Sequence, residues 1–566
     1  MTDAPPERAA AGDADPEVPT AAEVGERPDL DGISDKIKRE FELVPAIGTR
    51  WSRWYDAPYR FLHWLLTGWR RKLIPWRVRL RLNGGINYLL AFDHYERLKV
   101  KDRKDPLDNL IVPDDEHVTQ GGIWVVEFFP PSYSARLLRA LKKSGWDAHD
   151  HMVGIDGTHA DQVAKARRGR GFAWKRLATV ARPDSPYLVF NAKREVLPEE
   201  FDLIELTAVQ LGSSLTAVVA FVRFSENGAS ALNSVWKAEQ EPTLEWRGFR
   251  RPQVEGRYHA AILATQEERQ RLHDLARDWL AARCGGFFAD TEARQPVVDF
   301  NLFKLFDPLS ATDSRDHGEP LRALGMEGNH LYNYVSPHLP GAVFVQGKTL
   351  TRARELLRNC WGVVASYDTF ARLNERDGYG SKPYSVNTLA AMADDVIRSY
   401  LLYVAVVQYG HQLREAIADA RDTARTKHRE FRPRQVEQLK HELLTTSLDL
   451  PAVARDTRLL WKPFWRRWDG IDVRAVPAPD VPNPPEEFDL IERLRKVHKG
   501  TFEKLLEEDA AYRTVLSTAS SLGATAASAR LGRRALFVSG TSLFVSITAL
   551  TVANGDAIWR QLTSWF

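Results

Sequence analysis

The chain has 566 residues, room for about two or three domains with a substantial core, and a formal net charge of only +3 at pH 7. A balance this close to neutral implies no nucleic-acid partner. Two cysteines, Cys284 and Cys360, without a CxxC pair, exclude a disulfide framework and fit a reducing compartment.

Residues 1–34 are acidic, hold five prolines and carry few large apolar groups, so a disordered tail is expected. No basic start runs into an apolar stretch, so no secretory signal is expected either. Residues 35–83 are a basic, Trp-rich amphipathic segment. From Arg50 to Arg81 there are nine Arg or Lys and one acid, Asp56. Trp51, Trp54, Tyr55, Phe61, Leu62, Leu65, Leu66 and Trp69 fall at helical spacing, with Pro58 expected to kink or divide the helix. Such an element can lie among lipid headgroups, or serve as a surface helix with its aromatic face inward.

An α+β domain is expected over residues 84–300. Gly122–Phe129 reads as a buried strand, and the segment after it as a helix ending at Gly145. Asp202–Leu211 and Leu215–Phe224 read as a hairpin turning at Gly212-Ser213. Thr265 and Glu268 suggest a capping box for a helix whose inner face is Leu272, Leu275, Ala276, Trp279 and Leu280, stopping at Gly285-Gly286. The histidines and acids His149, Asp150, His151, Asp156 and His159 are the weak metal candidates, because two histidines two apart on a strand point the same way. Their spacing matches no helix-based or zinc-finger pattern, and no metal or cofactor is assigned.

Residues 301–345 are a loop-rich connection. Gly347-Lys348-Thr349 resembles the end of a phosphate loop, but Ala342 stands where the first Gly is required, and Val343-Phe344-Val345 is strand-like. A helical bundle is expected over 346–475, led by a helix from Thr388 to about Arg429 with Leu389, Val396, Tyr400, Tyr403, Val407 and Ile417 inward. A further helix carries Trp461, Phe464, Trp465 and Trp468. A stiff Pro-rich linker follows at 476–485.

Beyond it a stalk helix, 486–534, is expected to run into a single transmembrane helix at 535–553, followed by a short interfacial tail at 554–566. The nineteen residues Ala535–Ala553 carry no charge. Their helical length is roughly 28 Å and their mean hydropathy about 1.8. Arg530, Arg533 and Arg534 form a basic border on one side, Trp559 and Trp565 an aromatic border on the other. Gly532, Ala535, Ser539, Ser542, Ser546, Ala549 and Ala553 form a stripe of small residues that favours helix association.

The expected fold class is therefore an α+β cytoplasmic domain with a mostly antiparallel sheet, plus an α-helical bundle and a long C-terminal stalk helix ending in one membrane span. The expected location is the inner cell membrane, single-pass, with the N-terminal bulk cytoplasmic and the tail on the far side. The expected partners are the lipid bilayer and further copies of the chain. No GxSxG, HExxH, kinase or GxGxxG pattern appears. A binding, sensing or scaffolding role of unknown ligand is expected rather than catalysis. The plan of cytosolic domain, stalk and C-terminal membrane segment resembles CorA-type magnesium channels across residues 486–566. That resemblance implies, as an alternative, a pore-forming or ion-transport assembly, and apart from it an oligomer could line a pore with Ser539, Ser542 and Ser546. The chain departs from those channels in having no Met after Met392, hence no Gly-Met-Asn signature. A membrane-tethered enzyme using the cluster near His151 is the second alternative.

Overall fold

A computed structural model of the chain describes residues 42–553, apart from 102–107, 111, 150–156, 170–173, 186–191, 247–251, 292–293, 311–314, 327–330, 348–355, 376–381, 428–447, 459–470, 479–480 and 482. The acidic tail, the Trp461–Trp468 stretch and the interfacial tail lie outside the described residues. Described residues fall into two compact units, one within Met1–Ile111 and Glu239–Ala261, the other within Val112–Ala238 and Ile262–Phe566. The strands are β1 (Val118–Phe129), β2 (Trp174–Ala181), β3 (Lys193–Arg194), β4 (Phe201–Leu211), β5 (Leu215–Phe224), β6 (Thr243–Trp246), β7 (Pro252–Glu255), β8 (Val297–Phe303), β9 (Tyr332–Ser336), β10 (Leu339–Gln346), β11 (Cys360–Ser366), β12 (Arg474–Pro477) and β13 (Phe488–Asp489).

The first unit is built on helices Asp56–Leu66, Arg70–Leu73 and Trp76–Val100, with the β6–β7 hairpin. Pro58 does not divide a helix. It sits in the first turn of Asp56–Leu66, where its missing N–H costs nothing. Pro75 caps the 25-residue helix Trp76–Val100, which continues through Gly84-Gly85. Packing between the helices comes from Trp54 and Tyr55, whose rings lie 5.0 and 6.2 Å from Phe92.

The second unit is one 11-stranded sheet in the order β13-β12-β9-β10-β11-β8-β1-β5-β4-β2-β3. Its central part, β8-β1-β5-β4, is wholly antiparallel. Helices Ser134–Lys143 and His159–Ala166 lie between β1 and β4 in the chain, and Glu226–Trp236 and Arg257–Cys284 between β5 and β8. That is the connectivity of a split βαβ unit. β1 and the β4–β5 hairpin form where the alternation of the sequence puts them, and the helix after β1 ends at Gly145 with φ +67°. β11 pairs with β8 in parallel and carries the sheet onward through β10, β9, β12 and β13.

Both faces of the sheet are buried. Trp124, Val126 and Phe128 of β1 pack with Leu389, Tyr400, Val404 and their neighbours on the 42-residue helix Val386–Lys427. The intervening residues, Ile123, Val125 and Glu127, point to the opposite face, which the helix Arg257–Cys284 covers from Ile262 onward. On the first face the Trp124 indole stacks on Phe221 at 4.3 Å and donates to the Asp394 carboxylate at 2.7 Å.

Three expectations are corrected. The sheet is mixed and extends through residues assigned to a loop-rich connection and a helical bundle. The long helix after Thr388 covers a sheet face instead of joining a bundle. Thr265 does not cap a helix start either; the helix begins at Arg257, and Thr265 is buried inside it.

A further correction concerns the membrane. Residues Leu490–Ala553 form one helix of 64 residues, but among the described residues no helix is long and apolar enough to cross a membrane. Ser, Thr and Gly dilute the apolar residues of its uncharged stretch, Ala535–Ala553. Arg533 and Arg534 close that stretch on the near side. The single-pass anchor and the inner-membrane location are therefore not supported, and the likeness to magnesium channels loses its membrane segment. The same helix is no free stalk at its start: Ile491, Phe502 and Leu505 are buried in the core.

The β4–β5 turn supplies a local test. Gly212 has φ +66°, and a Cβ there would stand 2.3 Å from the Asp456 Cβ. Asp456 clamps the turn by accepting from the Ser213 and Ser214 amides, both at 2.7 Å. Gly212→Ala is expected to cost about 2 kcal/mol in chemical denaturation, from left-handed backbone strain plus displacement of that clamp.

Candidate functional site

The most polar part of the interior lies between β8, β11 and the helix Arg257–Cys284. Arg269, His273 and Arg277 recur at steps of four, which places them on one helix face. That face looks inward, and all three are at most 1 % exposed. Opposite them, β8 alternates: Val298, Phe300 and Leu302 join the apolar core, while Asp299 and Asn301 turn to the helix. Cys360 opens β11 beside Val297.

Arg269 grips Asp299 with both arms, Nε to Oδ2 at 2.7 Å and Nη2 to Oδ1 at 2.8 Å. Nη1 donates to the Leu324 carbonyl at 2.7 Å, and Nη2 also approaches the Cys360 Sγ at 3.1 Å. His273 Nε2 lies 3.0 Å from Asp299 Oδ2. Arg277 donates to the carbonyls of Gln295 at 2.8 Å and Arg358 at 2.7 Å.

The charge states follow from these contacts. Burial opposes ionisation of Asp299, but the charge and hydrogen bonds of Arg269, with those of His273, hold its carboxyl well below the usual carboxylate range. Burial lowers His273 to about 4, against the pull of Asp299, so the ring is neutral and donates from Nε2. Burial pushes the Cys360 thiol up to about 12 despite the guanidinium beside it. At the centre, Arg269 and Asp299 balance beside the neutral His273 and Cys360, while the second buried cation, Arg277, faces Asp274 at 3.4 Å.

His273, Asp299 and Cys360 offer ligand atoms within 4.8 Å of one another, an N, O and S donor set of the kind zinc accepts. The surroundings do not suit a dication. Arg269 already occupies both carboxylate oxygens, its charge stands against the sulfur, and the thiol keeps its proton. The arrangement is a closed ion pair. Around it, both amide atoms of Gln120 and of Asn301, the Gln266 Oε1 and the His273 Nδ1 are buried without a side-chain or backbone partner among the described residues. Gln120 and Asn301 face each other across β1 and β8. Such a layer has the polarity that internal water favours.

A second buried carboxylate, Glu127, accepts from the amides of Phe128 at 3.0 Å, Phe288 at 2.7 Å and Ala289 at 3.0 Å, and from Gln295 Nε2 at 3.2 Å. Burial raises it to about 7 against those donors. It ties the Phe288–Asp290 turn to β1. At the same end of the sheet Arg167 donates to the Phe129 carbonyl, the Thr216 hydroxyl and the Ser214 carbonyl. These groups fasten chain segments and leave no activated nucleophile.

The sequence-derived metal candidates do not assemble into a described site. His159 starts a helix and turns inward, its Nδ1 2.8 Å from the Trp146 carbonyl oxygen. His149 is exposed in a bridge to Thr158. His151 and Asp156 lie outside the described residues. Lys348 and Thr349 do too, while Gly347 donates to the Cys360 carbonyl at 2.8 Å, continuing the strand pairing expected there. Sequence reasoning missed Arg269, His273 and Arg277. Their four-residue spacing and the acid inside the apolar VVDFNLF run were the available signals.

Two surfaces stand out. On the C-terminal helix, Gly532, Ala535, Ser539, Ser542, Ser546 and Ala549 are exposed, as are Arg533 and Arg534. The side chains of Arg530 and Ala553, and Trp559 and Trp565 altogether, lie outside the described residues. Alongside that stripe Leu536, Phe537, Val538, Leu543, Phe544, Val545, Ile547 and Val552 are 54–79 % exposed. The other surface is the Trp-rich face of residues 50–81. The chain matches no protein-family model, and neither a curated protein nor a solved structure is similar to it.

Proposed function

We propose that the protein is a binding and scaffolding protein that self-associates through its C-terminal helix. The observation carrying this reading is the exposure of eight large apolar side chains between Leu536 and Val552 on one continuous helix. They are not scattered. Leu536-Phe537-Val538 returns seven residues later as Leu543-Phe544-Val545, and Leu536, Leu543 and Ile547 keep the spacing of a coiled-coil seam. A seven-residue apolar repeat asks for a like helix wound around it in a left-handed sense. Between the triplets, Ser539, Gly540 and Ser542 leave room for close approach. The apolar side chains together offer on the order of 1,000 Å² per chain, enough for a standard-size interface.

Analytical ultracentrifugation of the full chain should find a concentration-dependent oligomer. Replacing Leu536, Leu543 and Ile547 together by Gln should weaken association by about 100-fold, the loss of three apolar contacts. The substituted positions are exposed, so the fold of each protomer should persist in circular dichroism. A wild-type chain that sediments as a monomer throughout the micromolar range would refute the reading.

A further inference from the structure

From the face formed by residues 50–81 we infer a peripheral docking surface for anionic phospholipid, separate from the C-terminal helix and not spanning a bilayer. The inference begins with what is turned outward. Trp51, Trp54, Trp64, Trp69 and Trp76 are 51–71 % exposed, and Leu73 and Leu80 are 72 % and 62 % exposed. An exposed tryptophan is unremarkable singly; five exposed within 26 residues of sequence are not.

The charge on this stretch is of one sign. Its single acid, Asp56, is 3 % exposed and is spent inward, accepting from the Gly48 amide at 2.7 Å and the Arg53 amide at 3.1 Å. Arg53 in turn reaches Asp93, which Arg97 also holds at 2.9 Å. Internal bonding thus engages the one negative group, Arg53, and Arg60, which donates to the Gly48 and Thr49 carbonyls. Arg71, Lys72 and Arg77 stand exposed.

Cations and rings are also interleaved. The Arg60 guanidinium lies 4.7 Å from the Trp51 ring centroid, and Arg70 lies 4.1 Å from that of Trp64. A lipid interface accepts both halves of such a pair, the indole at headgroup depth and the cation against phosphate. The helices hold them ready: Asp56–Leu66 is fastened to Trp76–Val100 through Trp54, Tyr55 and Phe92. A purely acidic protein partner would satisfy the cations and leave the indoles wet. Single-stranded nucleic acid could use both, but the near-neutral chain offers no wider basic field to draw it.

Flotation of the full-length protein with vesicles tests this. Binding is expected to vesicles of phosphatidylcholine mixed with phosphatidylglycerol, and to fall as salt is raised. Arg71→Gln, Lys72→Gln and Arg77→Gln combined should lower partitioning about a hundred-fold, at about five-fold per cation. Trp69→Ser with Trp76→Ser should weaken it as well. The Leu536, Leu543 and Ile547 substitutions should leave it unchanged, which separates this surface from the self-association helix. Equal binding to phosphatidylcholine alone, an unaffected triple-charge variant, or capture by polyuridylate without flotation would overturn the inference.

Discussion

Asp299→Ala should be among the most damaging single substitutions in the chain, costing about 3–5 kcal/mol, because it leaves the Arg269 charge buried with no counter-ion. Both partners are 0 % exposed, so water cannot move in without opening the sheet–helix contact. The loss is a penalty for breaking the pair, not a measure of what the pair adds. Replacing both members, Arg269→Met with Asp299→Leu, removes the orphaned charge and should recover most of the stability. Urea titration of the wild type and the two variants, with amide exchange read on β8 and the helix from Ile262 to Cys284, separates the cases. If Asp299→Ala costs less than about 1 kcal/mol, the pair is not the closed, desolvated centre described above.

The parts of the fold that were legible are those in which local pattern and burial agree. The β4–β5 hairpin could be read because Gly212 marks a turn between two apolar runs. The helix after β1 could be read because Gly145 supplies a left-handed stop. The strands beyond β8 were harder. β11, CWGVVAS, is buried on both faces, and a short apolar run of that kind reads equally well as helix or strand. Its strand character comes from pairing with β8 and β10, partners far away in sequence. Helix Arg257–Cys284 showed its apolar inner face, with Leu272, Ala276, Trp279 and Leu280 buried, but not the polar one: Arg269, His273 and Arg277 carry no apolar signal, and only Asp299 across the interface makes them interior. At the C-terminus, apolarity without charge suggested a membrane span. Among the described residues no helix is long and apolar enough to cross a membrane, and the apolar residues after Arg533 and Arg534 instead fall in a seven-residue repeat that suits another helix.

His273 should make stability depend on pH in a direction set by its burial. An unfolded imidazole titrates near 6.5, whereas the folded ring is lowered to about 4. Between those values unfolding takes up a proton, so the stability contributed by keeping the ring neutral is complete above pH 6.5 and is lost as pH falls toward 4. A separation of roughly 2.5 pH units corresponds to about 3 kcal/mol. His498, lowered by burial to about 3, acts in the same direction, and burial of Glu127 acts against both. The Glu127 carboxyl, raised to about 7, takes up its proton on folding between roughly 4.5 and 7, which stabilises the acid side of that window. The raw pH profile is therefore a difference of terms, and the contribution of His273 must be isolated. His273→Asn keeps a donor for Asp299 without a titrating ring. From pH 7 to pH 4 the wild type should lose about 3 kcal/mol more than this variant in urea titrations. Parallel profiles for the two would mean that water reaches His273 in the folded state and that the polar layer beside β8 is open.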